Sequence, residues 1–135
     1  TSAVSAIMMA ATIFAAPTIA AEIMSAQEAA KQSAAGDVLL VDVRRPSEWQ
    51  QTGVAQNGHQ ISMHQPGFLE KIEALTGGDK SKPVALICAG GNRSTLMAEE
   101  LEKLGYSNVL NIKEGMLGSK HGPGWLKQSL PLKGS

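Results

Sequence analysis

Short apolar runs alternate with amphipathic stretches along most of this chain. Residues 38–43 (Val-Leu-Leu-Val-Asp-Val) and residues 83–87 (Pro-Val-Ala-Leu-Ile) are almost continuously apolar and contain β-branched side chains. Runs of that length without alternation mark strands buried on both faces, as in a parallel sheet. Residues 108–112 predict a third strand, residues 22–24 a short first one, and residues 58–62 an edge strand. The intervening stretches read as helices. Ser25 with Glu28 three positions on matches a capping box, which predicts a helix from Ala26 to about Ala34, stopped by Gly36. Pro46 and Ser47 open a short helix over residues 48–52 that Gly53 ends. Pro66 starts another, in which Phe68, Leu69, Ile72 and Leu75 recur at helical spacing and should face a core. A helix from about Arg93 carries Leu96, Met97, Leu101 and Leu104 on one side and ends at Gly105. A last short helix is predicted over residues 125–129. Strands alternating with helices imply an α/β fold: a parallel sheet of about five strands flanked by helices on both faces.

In such sheets ligands bind beyond the carboxyl ends of the strands. One strand end stands out chemically. Residues 83–87 lead directly into Cys88-Ala89-Gly90-Gly91-Asn92-Arg93-Ser94, and Cys88 is the single cysteine of the chain. A short loop that wraps from a strand into a helix N-terminus turns several backbone N–H groups inward, and the helix dipole adds positive potential there. A ring of N–H groups is an anion site, and a cysteine at its centre is favoured as thiolate. Gly90 and Gly91 allow positive φ angles and close approach, while Arg93 adds a cation at the loop's far side. The competing reading is an inert buried cysteine, since free Cys is among the most buried residue types. A polar, Gly-rich loop immediately after it has no purpose in that reading. Asp42, near the end of the strand over residues 38–43, is read as satisfying nearby backbone N–H groups. Arg44 is either a solvated loop residue or a cation at the pocket mouth.

The loop from Cys88 to Ser94 resembles the active-site loop of the rhodanese (thiosulfate sulfurtransferase) family. Two further stretches are similar to that family: Asp42-Val43-Arg44 followed by Pro46-Ser47-Glu48-Trp49, and Asn108 to Ile112 followed by Glu114-Gly115-Met116 and Gly122-Pro123-Gly124-Trp125. The motifs occur in family order, and the resemblance spans about Glu22 to Leu132. It implies a single-domain, rhodanese-like sheet over residues 22–135, with Cys88 as nucleophile. It also implies substrate binding by Ala89, Gly90, Gly91, Asn92, Arg93 and Ser94, with Asp42 and Arg44 in support. The implied reaction moves a sulfane sulfur from thiosulfate or a similar donor to a thiophilic acceptor (cyanide, a thiol or a protein cysteine) through a Cys88 persulfide. Two alternatives remain: a sulfur-carrier or binding module with poor turnover, and a related phosphatase or arsenate reductase. Related phosphatases usually place five residues between Cys and Arg. Here four lie between Cys88 and Arg93, which suits one sulfur better than a phosphoryl group. The family's customary Gly-His is Gly53-Val54 here, so no histidine is given a catalytic role.

Composition adds limits. Twelve basic and twelve acidic side chains balance, and the basic ones are scattered, so no nucleic-acid partner is expected. His59, His64 and His121 lack metal-ligand spacing, and neither metal nor organic cofactor is implied. No charge occurs before Glu22. Residues 1–21 therefore read as a signal-peptide-like segment with Thr18-Ile19-Ala20-Ala21 as a cleavage region, or as a membrane anchor interrupted by Pro17, with a soluble amphipathic helix third. The expectation is a monomeric bacterial periplasmic enzyme, associated with the membrane if that segment is retained.

Overall fold

A computed structural model describes residues 21–135, so the expected leader lies outside the described residues except for Ala21. Seven strands and four helices occur among them, in the order β1 (Glu22–Ile23), α1 (Ala26–Ala35), β2 (Leu39–Asp42), α2 (Pro46–Thr52), β3 (Val54–Ala55), β4 (Gly58–Gln60), α3 (Phe68–Thr76), β5 (Val84–Ile87), α4 (Asn92–Lys103), β6 (Val109–Ile112) and β7 (Leu132–Lys133). Five strands form one sheet in the order β1-β6-β5-β2-β4, and every pairing in it is parallel. The expected fold class is therefore the observed one. Among the described residues no helix is long and apolar enough to cross a membrane.

The apolar runs become the inner strands because both their faces are covered. Along β5, Val84 and Leu86 point to one side, where they pack with Val41, Val109, α3 residues Phe68 and Ile72, and α4 residues Ala98 and Leu101. Ala85 and Ile87 point to the other, against Leu40, Ile112, Ala26 and Ala29 of α1, and Trp125. Each fully buried Leu or Ile there contributes about 1.5–3 kcal/mol. Two-residue periodicity then fixes where the cysteine goes: Cys88 follows Val84 and Leu86 onto the α4 face. Register aligns the strand ends. Asp42 is opposite Ile87, and Ile87 is opposite Ile112, so Val43, Cys88 and Lys113 leave the sheet at one edge.

Several local expectations shift. Gly67, in a left-handed conformation, precedes α3, so the helix starts at Phe68 instead of Pro66. Its buried side is Phe68, Ile72 and Thr76, and Leu69 is exposed. On α4 the buried residues are Ser94, Ala98 and Leu101, whereas Leu96 and Leu104 face solvent. The loop sets the rotation of that helix by turning Ser94 beneath the sulfur, and Leu96 is then about 200° round the axis from Ser94. Residues 125–129 form turns, not the expected helix. The N–H of Trp125 donates to Gly115 O at 2.9 Å and that of Leu126 to Met116 O at 3.1 Å, so the segment docks on the site-bearing loop. Strands β3 and β7, two residues each and antiparallel, are too short to carry a period and were not expected.

Candidate functional site

Cys88 sits one residue past β5, with its side chain sealed inside the loop and the residue 1% exposed. Its Sγ accepts from the Gly91 N–H at 3.1 Å and the Ser94 N–H at 3.4 Å. The Ser94 hydroxyl lies 3.4 Å from Sγ and donates to Gly91 O at 3.1 Å. A protonated sulfur thus donates to Ser94, and an ionised one leaves that hydroxyl free to turn and donate back. The N–H groups of Ala89, Gly90, Asn92 and Arg93 have no acceptor among the described residues. Two N–H groups on the sulfur and four unclaimed ones nearby make the ring a place for negative charge.

Gly91 and Gly115 hold the ring's shape. Gly91 has φ 95°, and a Cβ there would run into the Lys113 carbonyl. Gly90 does not take the positive φ expected of it. Gly115 has φ 67°, and its Cβ would overlap the Ala89 carbonyl. This contact lets the chain after β6 lie flat on the loop, where the Met116 and Leu117 N–H groups donate to Cys88 O and Ala89 O at 2.9 Å each. Glu114 anchors the same segment. Its carboxylate accepts from the Ala26 N–H at 3.0 Å, the Gly124 N–H at 3.1 Å and Gln128 Nε2 at 2.7 Å.

The two arginines depart from expectation. Arg44 is neither solvated nor at a pocket mouth: it is 1% exposed and wraps back onto Asp42, with Nε 3.0 Å from Oδ1 and Nη2 2.8 Å from Oδ2. Its remaining donors reach Thr52 Oγ1 at 3.0 Å and Gly53 O at 3.1 Å. Asp42 also accepts from the Arg44 N–H at 3.0 Å. The pair joins β2 to the end of α2 and supports the edge that carries the loop, without touching Cys88. Arg93 is not a free cation beside the sulfur. It makes a two-pronged ion pair with Glu48, 2.8 Å from Nη1 to Oε2 and 2.7 Å from Nη2 to Oε1, at about one-quarter exposure for each side chain. Glu48 also accepts from the Arg45 N–H at 2.9 Å, closing the first turn of α2. The guanidinium hydrogen bonds hold the Glu48 carboxyl down at about 2 and push Arg93 up.

His64 was given no role from sequence, yet its Nε2 lies 3.3 Å from Arg93 Nη1. Desolvation, then the charges of Arg45 and Arg93, lower its pKa, so a neutral Nε2 accepts from Arg93. His59 is on β4, opposite Val41, where burial and then the charge of Lys133 lower its pKa, and Val54 is buried in β3. Glu48 was legible as an acidic residue opening a helix. Its partner, 45 positions away, was not.

A parallel sheet with a cysteine loop at the carboxyl end of its middle strand, braced from the flanking strand ends, matches one family closely. The Rhodanese-like domain model aligns with residues 25–121, most of the chain. The chain belongs to the rhodanese family. Among curated relatives, a sulfurtransferase of Allochromatium vinosum is 33% identical over 97 residues, covering 71% of this chain and 78% of that one. The thiosulfate sulfurtransferase GlpE of Tolumonas auensis is 32% identical over 95 residues, covering 70% and 84%. Relatives from Rickettsia species carry no assigned function. The solved polysulfide-sulfur transferase homodimer of Wolinella succinogenes superposes with a TM-score of 0.65 at 29% identity, covering 85% of this chain and 80% of that one. Family and relatives together make this chain a rhodanese-type sulfurtransferase.

Proposed function

We propose that the chain is a thiosulfate sulfurtransferase working through a Cys88 persulfide. The observation that carries the reading is the sulfur's setting: Gly91 and Ser94 N–H groups on Sγ, in a loop whose Ala89, Gly90, Asn92 and Arg93 N–H groups have no acceptor among the described residues. In the first step the Cys88 thiolate attacks the outer sulfur of thiosulfate. The new Sγ–S bond forms as the S–S bond to sulfite breaks, and the electron pair leaves on sulfite. The persulfide keeps the negative charge inside the ring, where Ala89, Gly90, Gly91, Asn92, Arg93 and Ser94 supply backbone donors. The S–S bond moves the electrophilic atom about 2 Å beyond Sγ. In the second step an acceptor nucleophile takes that sulfur, and Cys88 returns as thiolate, which is two-stage covalent catalysis. Sulfite is a stable leaving anion, so no general acid is required. With residues 1–21 read as an export leader, the reaction belongs in a bacterial periplasm.

Intact mass spectrometry tests this directly. Thiosulfate should add one sulfur atom to the protein, and cyanide should remove it. Cys88→Ser should show neither the adduct nor turnover, and the native protein should not hydrolyse aryl phosphates. Undiminished turnover in Cys88→Ser, or efficient phosphate hydrolysis through Cys88, would end the reading.

A further inference from the structure

An anionic reactant needs positive charge near the ring, and the loop's own arginine is committed to Glu48. Unpaired cations lie on the other flank. A cleft of about 540 Å³ adjoins the loop, lined by Gly90, Gly91 and Asn92 of the loop and by Lys113, Lys120 and His121 of the segment after β6. No acidic residue lines it. Among the described residues neither lysine is in an ion pair.

The basic part of the lining is held by the backbone. Ser119 and Gly122 close a turn, with N–H to O distances of 2.9 and 3.2 Å, and Lys120 and His121 are its tip. The Ser119 hydroxyl donates to Lys113 O at 2.8 Å and accepts from the His121 N–H at 3.1 Å, which fastens the turn to Lys113. The Lys113 carbonyl in turn abuts Gly91, whose N–H is on the sulfur. Gly91 therefore belongs both to the lining of the cleft and to the N–H groups on the sulfur. Gly90 and Asn92 offer a ligand N–H groups without acceptors among the described residues.

We propose that this cleft is the acceptor subsite and takes small thiols that carry carboxylates. The proposal rests on the persulfide reading above and names its second substrate. The volume is within the roughly 300–1,000 Å³ range of organic-ligand pockets and is more than cyanide or a sulfite group needs. Two lysines and a cleft free of acidic side chains select for carboxylates, and the limited volume selects for a small molecule. In the step itself the acceptor thiol gives its proton to the outer sulfur of the anionic persulfide and attacks that sulfur as thiolate. An S–S bond to the acceptor forms, the bond to Sγ breaks, and Cys88 leaves as thiolate. The acceptor departs as its persulfide, with no net oxidation.

The test uses protein already loaded with thiosulfate and verified by mass, so a failure to load counts against the persulfide reading alone. Discharge rates are then measured with mercaptosuccinate, a dicarboxylate thiol, and with 2-mercaptoethanol, a neutral one. The native protein should favour mercaptosuccinate, and added salt should erode the preference. In Lys113→Gln/Lys120→Gln the ratio of the two rates should fall about tenfold, while Lys113→Arg/Lys120→Arg should largely restore it. Normal loading with an unchanged ratio in the glutamine variant would overturn the proposal.

Discussion

Removing the charge of Glu48 isolates the ion pair that holds Arg93. Glu48→Gln keeps the size of the side chain and can still accept from the Arg45 N–H, but it no longer pairs with the guanidinium. The Arg93 hydrogen bonds are the largest cause, ahead of the Arg45 N–H and the charges of Arg93 and Arg44, of the fall in the Glu48 pKa from 4.5 to about 2. At about 1.4 kcal/mol per pH unit that fall corresponds to about 3 kcal/mol. The two side chains are 24% and 25% exposed, so solvent screening reduces the expected loss at neutral pH to about 1–2 kcal/mol. For a domain of this size that is a fall in Tm of about 5 °C. The pH dependence follows from the direction of the shift. A depressed carboxyl stabilises fully above its unfolded value of 4.5, and the contribution disappears as pH falls through about 2. The assay is urea unfolding of the native and variant proteins at pH 7, 5, 4 and 3. The difference between them should be constant at pH 7 and 5 and shrink from pH 4.5 downward. A variant as stable as the native protein at pH 7, or a difference that widens in acid, would refute this account of Arg93.

Gly115→Ala should lose about 2–5 kcal/mol, since it combines a positive φ with overlap on the Ala89 carbonyl. Its sulfur loading by mass should slow along with stability, and an alanine variant of native stability would contradict the close approach. Asp42→Asn should lose about 3–5 kcal/mol in urea unfolding, because it leaves the Arg44 guanidinium buried without its carboxylate. A loss under about 1 kcal/mol would mean that Thr52 and Gly53 suffice to hold Arg44.

Much of this protein was determined by residues adjacent in sequence. Nearly continuous apolar runs marked β2 and β5 as buried parallel strands, and the Ser25–Glu28 cap marked the start of α1, where Ser25 Oγ accepts from the Glu28 N–H at 3.1 Å. The one cysteine, placed between an apolar strand and a Gly-rich turn, was enough to locate the chemistry. These are local properties: period, burial and capping operate over a few residues, and neighbours in the chain encode them. The tertiary structure decided which charges meet. Arg93 and Glu48 are 45 positions apart, and only the sheet order β5-β2 brings α2 beside the loop. Arg44 gave no local sign that it would fold back onto Asp42 and be buried. The loop also fixed the rotation of α4, which placed Ser94 under the sulfur and exposed Leu96 despite its apolar side chain. Gly115 looked like any turn glycine until the chain after β6 lay against Ala89. Ion pairing, close backbone approach and the facing of a helix depend on segments distant in sequence, so packing had to bring those segments together before these features existed.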